Sequence, residues 1–362
     1  MNKILMPYSK GALRLKNHLV MAPMTRSRAI DNLPNALMAE YYAQRTGAGL
    51  LITEGTAPTP EALGYPRIPG IFSQHQVEGW QKVTSAVHAG GSKIFVQLMH
   101  TGRIGHQDNL PQGAVLVGAS DLKAAGQIFT DTAGLQDYSQ PQALTTDGIA
   151  NIIGGHVVAA QYAIQAGFDG IELHGANGYL LEQFLNPTVN NRTDEYGGSL
   201  QNRSRLLIEM AKAIADAIGP QKVGIRFSPY STLGDLPPFA DDEVFETYQH
   251  LAQELDALGI AYIHIAVNMP IPQRTFDAVR TAFTGTIILC NGLTPETAEA
   301  ALHNGFADLV AFGRSFLANP DLAERIAQQA ELNQPDYTTL YTPGAQGYTT
   351  YPTLLKSTLE LT

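Results

Sequence analysis

Apolar positions along this chain follow two alternating rhythms. Short, predominantly apolar runs rich in β-forming residues recur from Leu19 to Phe316, and between them lie longer stretches whose apolar residues repeat at helical spacing. The short runs are Leu19–Met21, Leu50–Thr53, Ile94–Leu98, Gly170–Leu173, Val223–Phe227, Tyr262–Ala266, Ile287–Leu289 and Leu309–Phe312. Strands that alternate with helices predict a parallel sheet, and eight repeats predict closure into a (β/α)8 barrel of the TIM type.

The helical stretches carry their own boundary signals. Asp242 can open a helix that places Phe245, Tyr248, Leu251, Leu255 and Leu258 on one stripe and stops at Gly259. Thr294-Pro295 offers an N-cap followed by a first-turn proline, and a third pattern runs from Ser199 through Leu207, Met210, Ile214 and Ile218 to Gly219. Two connections break the rhythm. The stretch from His100 to Asp147 is rich in Gly, Ala and Gln without sustained periodicity, which predicts a long excursion after the third strand that covers the barrel mouth. Ser228–Ala240, with Pro229, Pro237 and Pro238, is a second such loop. The tail after Asn333, rich in Tyr and Thr, is expected to fold back over the same face.

Barrels of this kind run to 362 residues as one unit, so a single domain over residues 1–362 is the expectation. The formal net charge of -10, with no run of basic residues, disfavours nucleic acid and anionic membranes as partners. A bound phosphate would therefore need a local site. One cysteine, Cys290, leaves no intrachain disulfide and no cluster held by several thiolates, as expected in a reducing cytoplasm. Ile4-Leu5-Met6 before Pro7 is too short for a signal-peptide core, and no apolar stretch approaches membrane-spanning length.

Chemistry in such barrels sits at the C-terminal strand ends, where the loops surround one mouth. In this chain those ends read Pro23-Met24-Thr25-Arg26, Glu54-Gly55-Thr56, Gln97-Leu98-Met99-His100, His174-Gly175-Ala176-Asn177, Arg226-Phe227-Ser228, Asn291-Gly292 and Gly313-Arg314. Only the sixth strand, ending near Ala266-Val267-Asn268, is less emphatic. Asn291-Gly292 and Gly313-Arg314, after strands seven and eight, match the phosphate site common in these barrels. Against that stands an Arg314 that merely closes a structural ion pair. Arg226 lies inside an apolar strand, and a guanidinium pointing into a barrel must meet an anion or several acceptors. Gln97 can donate and accept at once, as the edge of a heterocycle requires, although a satisfied core glutamine reads the same way. His174 and Asn177 lack zinc-ligand spacing, so no metal is expected. Together they can donate to one oxygen, and Tyr179 adds a proton donor.

At these residues the chain resembles the Old Yellow Enzyme family. The segments that carry the likeness are Met21 to Arg26, Gln97 to Arg103, His174 to Tyr179, Glu182 to Pro187, Asn191 to Gly198, Gly224 to Pro229 and Gly313 to Pro320. The resemblance implies a non-covalent flavin mononucleotide (FMN) and an ene-reductase that uses NADPH or NADH by a ping-pong mechanism. Its substrates would be activated alkenes: enones, enals, maleimides and nitroalkenes. Thr25 would contact the flavin near O4, Gln97 its pyrimidine edge, and Arg226 the region near N1. Ala22, Pro23, Met24, Asn291, Gly292, Gly313 and Arg314 would complete the cofactor site. His174 and Asn177 would hold the substrate oxygen while Tyr179 protonates the α-carbon. Tyr65 and Tyr351 match aromatics that line the family's pocket. Met99 stands where an aromatic is frequent, and Val267–Gln273 lacks the tryptophan some relatives place over the substrate; the sole Trp80 falls in an expected outer helix. Thr25 marks the branch with threonine at this position, where another has cysteine. A non-catalytic flavin carrier or sensor would keep Arg226, Gln97 and Arg314 without needing Tyr179, His174 and Asn177 together. A Schiff-base aldolase on the same barrel would need a strand lysine that none of the eight runs supplies convincingly. A monomer acting on a small molecule is expected.

Overall fold

A computed structural model describes residues 2–354. Eight parallel strands close into a barrel: β1 (Leu19–Met21), β2 (Leu50–Ile52), β3 (Lys93–Leu98), β4 (Gly170–Gly175), β5 (Val223–Phe227), β6 (Tyr262–Ala266), β7 (Thr286–Cys290) and β8 (Leu309–Phe312). They pair in chain order, and β8 returns to β1. Nearly every strand residue is buried, because helices cover the outside while side chains fill the inside. Predominantly apolar runs are what such strands require.

The connecting helices are α1 (Ala36–Ala43), α2 (Gln74–Ala89), α3 (Thr146–Gln165), α4 (Leu200–Ile218), α5 (Asp241–Leu258), α6 (Gln273–Ala282) and α7 (Pro295–His303). Ser199 caps α4 by accepting from Asn202 N–H, and Thr294 forms a capping box with Thr297 ahead of Pro295. Helix α5 differs from the sequence expectation at its start. It begins at Asp241 with Ala240 in the N-cap position and no side-chain cap; the acidic first turn, Asp241, Asp242 and Glu243, faces the positive end of the helix dipole instead. Its buried stripe is Val244, Tyr248, Leu251 and Leu255, with Gly259 in the left-handed region at its end, while Phe245 lies at the margin beneath the Arg274 guanidinium.

Trp80 is fully buried in α2, with its indole N–H donated to Gly70 O at 3.0 Å. A hairpin that the sequence pattern does not announce, Tyr8–Lys10 with Leu13–Leu15, packs with the barrel-interior residues Val20, Leu50 and Tyr262. Its Tyr8 hydroxyl meets Thr286 Oγ at the start of β7, at the closed end of the barrel.

At the opposite end the excursion between β3 and α3 forms a second hairpin, Gln127–Thr130 with Gly134–Asp137. The tail crosses near it and is held by two buried arginines. Arg26 donates to Leu340 O and Gly347 O, and Arg28 to the carbonyls of Thr339, Leu340 and Gln346. Carbonyls held by guanidinium N–H groups stay hydrogen-bonded where water is excluded. The strap is thereby fixed over the mouth.

Candidate active site

Two cavities open among the strand ends. The larger, of about 630 Å³, is walled by Thr25, Tyr65, Tyr138 and Tyr179 from the barrel and excursion and by Tyr337 and Tyr341 from the strap. The second, of about 380 Å³, is lined by Ala22, Pro23, Met24, Arg226, Asn291, Gly292, Gly313 and Arg314. Gln97, His174 and Asn177 are in the lining of neither. Of the three, His174 stands where the two linings meet, and the end of β4 that carries it forms a partial septum there. His174 pairs in register with Arg226, which lines the second cavity, and sets its ring edge-on to Tyr179, which lines the first, with centroids 4.9 Å apart.

Each septum residue is placed by the local fold. Strand β4 runs two residues past the apolar stretch, carrying His174 and Gly175 into the barrel rim. The chain then turns with Asn177 at φ 60° and Gly178 at φ 80°. That turn hangs from a buried carboxylate: Glu182 accepts from Gly178 N–H at 2.7 Å, from the Ser228 hydroxyl at 2.8 Å and from the Tyr248 hydroxyl at 3.2 Å. Ser228 Oγ in turn accepts the Asn177 N–H at 2.8 Å. Glu182 was visible in the sequence only as part of a motif. Its function in the fold is to fix the loop that carries Asn177.

Electrostatics set the protonation states. Burial, reinforced by the Arg226 and His264 charges, pushes the His174 imidazole well below its usual range, so it is neutral and carries a single N–H. Its Nδ1 has no hydrogen-bond partner. Tyr179 is pushed up to about 12, chiefly by burial, and donates its hydroxyl to Tyr65 at 3.0 Å. It therefore keeps its proton at any physiological pH.

Beneath the septum the barrel interior is polar. Gln97 donates from Nε2 to Glu172 Oε1 at 2.8 Å, leaving its carbonyl oxygen as an acceptor, and Glu172 pairs with His264 at 2.8 Å where both side chains are fully buried. Arg226, buried, has only the Cys290 sulfur at 3.7 Å for its Nη2, and its Nε has no partner. A buried guanidinium without a carboxylate is unstable unless an electron-rich group completes its surroundings. Arg314 is exposed at the rim and forms no ion pair among the described residues, which removes the purely structural alternative for it. The unfilled donors of Arg226 and Arg314, the Gln97 acceptor and the left-handed Asn291 (φ 80°) and Gly292 (φ 68°) suit a flat heterocycle with a phosphate at one end. Flavin mononucleotide fits this donor set.

One assignment is corrected. Tyr351 is not in the wall of either cavity; its hydroxyl accepts from Asp336 N–H at 2.8 Å, within the strap itself. Tyr337 and Tyr341 are the strap tyrosines in the wall, set on either side of Thr339 and Leu340, whose carbonyls Arg28 holds. Met99 is buried, packed with Leu63, Ile68 and Leu116 beside Tyr65 and Tyr179. The sequence also undervalued Asn268 at the end of β6, whose amide lies between Asn177 and Asn291.

Glu182 supplies a pH test. Burial raises its carboxyl to about 7. An acid raised in the folded state adds stability that is complete below its unfolded value, near 4.5, and lost as pH rises through about 7. The loss for this group is on the order of 3 kcal/mol. Glu182→Gln should lower stability at acidic pH, since an amide cannot accept all three bonds, while flattening the decline from pH 4.5 to 7. Urea midpoints across that window check this, and an unchanged slope would refute the assigned titration.

Residues 3–333 match the model of the NADH:flavin oxidoreductase / NADH oxidase family. 12-Oxophytodienoate reductase 1 of Oryza sativa subsp. japonica is 42% identical over 361 residues, covering 97% of this chain and 93% of the relative. 12-Oxophytodienoate reductase 2 of Arabidopsis thaliana is 38% identical over 363 residues, covering 97% and 96%. Among solved structures, morphinone reductase superposes with a TM-score of 0.93 at 42% identity, covering 98% of this chain and 97% of that one.

Proposed function

This chain belongs to the Old Yellow Enzyme family of flavin oxidoreductases, and from that premise we propose that it reduces the C=C bond of enones, enals, maleimides and nitroalkenes. It is an NAD(P)H-dependent oxidoreductase that holds FMN without a covalent link. The observation that carries the substrate assignment is the His174–Asn177–Tyr179 cluster at and just beyond the end of β4. FMN, when bound, would supply the redox chemistry, hydride acceptance from the nicotinamide and hydride donation to the β-carbon of the alkene. A morphinone reductase structure in complex with tetrahydroNAD supports a nicotinamide as donor, and nicotinamide and alkene would use the site in turn.

The chain's own groups do the rest. Ala22, Pro23, Met24, Asn291, Gly292, Gly313 and Arg314 would hold the phosphate and its linker, Gln97 and Arg226 the ring, and Thr25, in the wall of the larger cavity, would contact the ring as well. His174 and Asn177 donate to the substrate carbonyl or nitro oxygen, stabilising the charge that gathers there as the β-carbon is reduced. The Tyr179 hydroxyl gives its proton to the α-carbon, and the Tyr65 hydroxyl beside it stabilises the phenolate left behind. Tyr65 and Tyr341 wall the alkene's body. The reading is of a cytoplasmic, monomeric enzyme whose single FMN-binding barrel domain acts on small molecules; no helix among the described residues is long and apolar enough to cross a membrane.

Purified protein supplied with FMN should convert cyclohexenone to cyclohexanone at the expense of NADPH under anaerobic conditions. No product with any activated alkene of the four classes would overturn the proposal.

A further inference from the structure

The side-chain amides at the mouth form a chain with one direction. Cys290 S–H donates to Asn291 Oδ1 at 3.1 Å, Asn291 Nδ2 donates to Asn268 Oδ1, and Asn268 Nδ2 donates to Asn177 Oδ1 at 2.7 Å. Asn291 and Asn268 each accept through oxygen from the preceding member and donate through nitrogen to the next, and Asn268 Nδ2 also reaches Ser231 Oγ at a longer 3.4 Å. At the deep end the Arg226 guanidinium donates to the Cys290 sulfur at 3.7 Å.

We infer that Asn268 is a positioning residue: it occupies the carbonyl oxygen of Asn177 and so leaves the Asn177 NH2 as the group offered to the substrate oxygen. The inference rests on the substrate-binding role proposed above for Asn177 and goes beyond it in naming what selects the donor face of that amide.

An asparagine side chain offers an acceptor on one side and donors on the other, and which side faces the substrate decides whether the residue stabilises or repels a developing negative charge. Rotating the Asn177 amide by half a turn would set its NH2 against the Asn268 NH2 and exchange the 2.7 Å bond between them for a clash of donors, leaving Asn268 only its longer 3.4 Å bond to Ser231 Oγ. Asn268 cannot turn to accommodate it, because its own oxygen is taken by Asn291. The backbone is fixed as well, since Asn177 N–H is bound to Ser228 Oγ and its φ is 60°. Dipoles aligned in one direction also polarise one another, so the terminal N–H is a stronger donor than an isolated amide. Met269, the next residue, is half exposed, so the register of the link is set by Asn268 and not by burial of the segment that follows.

The test is a double-mutant cycle. Asn268→Asp replaces the donor by an acceptor, so the Asn177 amide turns to donate to it and presents its oxygen to the substrate. With the Asn177 background intact, Asn268→Asp should lower kcat/KM for cyclohexenone by about 100-fold, the lower end of the span for losing one oxyanion donor, and Asn268→Ala by only about 10-fold, since the Asn177 amide is then unanchored but not turned away. With Asn177→Ala already in place, Asn268→Asp should cost no more than about two-fold, because the residue it acts through is gone. Calorimetric binding of cyclohexanone, which is not reduced, should weaken in the same order. An aspartate variant no worse than the alanine variant, or an equal loss in both backgrounds, would overturn the inference. Wild-type protein that neither binds cyclohexanone nor reduces cyclohexenone would overturn the proposed function and this inference with it. Wild-type turnover with additive losses would remove the inference alone.

Discussion

Tyr179→Phe is expected to slow alkene reduction by about 10² to 10⁴-fold, the span typical for losing a positioned general acid, while reduction of the flavin by nicotinamide stays nearly unchanged. The asymmetry follows from chemistry. Taking hydride from a nicotinamide needs no proton at the α-carbon of an alkene, whereas saturating the alkene does. Phenylalanine keeps the ring that packs edge-on against His174 and Tyr65, so the variant removes little besides the hydroxyl. The hydroxyl lost is one held protonated, with a value pushed up to about 12, so no part of the rate in the pH 6 to 9 range reflects its ionisation. Rapid-mixing absorbance measurements of the two half-reactions separate the outcomes. Equal slowing of both would mean that Tyr179 shapes the cavity and does not supply the proton.

His174→Ala is the second large effect, with a loss of about 10² to 10³-fold in alkene reduction. Unlike the tyrosine variant it should also weaken substrate binding, because a donor to the carbonyl oxygen acts on the bound ground state as well as on the enolate-like transition state. The neutral state of His174 matters here. Burial and the neighbouring Arg226 and His264 charges keep the ring from taking a second proton, so it donates without carrying charge and its role should be flat in pH between 6 and 9. A KM left unchanged with only kcat reduced would argue that His174 positions Tyr179, whose ring it touches, and leaves the substrate oxygen to Asn177.

The barrel was legible because its strands are buried on both faces. Such strands have no solvent face to fill with polar residues, so they stand out as predominantly apolar runs, and the eight runs from Leu19 to Phe312 coincide with the eight strands. Differences are confined to ends: β3 begins at Lys93, β4 continues through Gly175 and β7 reaches Cys290. The hairpin at Tyr8–Leu15 does not stand out because its three-residue strands, Tyr8-Ser9-Lys10 and Leu13-Arg14-Leu15, interrupt their apolar residues with polar ones and form no apolar run. Residues at strand ends were found by their place in the barrel, since the C-terminal ends share one mouth. Tail and loop residues were not. Tyr341 and Tyr351 are both tyrosines in one aperiodic tail, and only the Arg26 and Arg28 bonds to its carbonyls decide which faces the cavity. Asn268 was overlooked for a related reason: a lone asparagine after a strand has no distinguishing pattern, and its meaning lies in two amides distant in sequence. Glu182 likewise acts through Gly178 and Ser228, partners that its own neighbourhood in the sequence does not reveal.

In this reading His174, Asn177 and Tyr179, at and just beyond the end of β4, hold an activated alkene against a flavin bound at the same barrel mouth. Anaerobic titration of the FMN-loaded protein, followed by its visible absorbance, tests this most directly. One equivalent of NADPH should bleach the flavin band, and one equivalent of cyclohexenone should then restore it with stoichiometric cyclohexanone. A band that bleaches but returns with none of the activated alkenes would contradict the account and identify a flavin carrier instead.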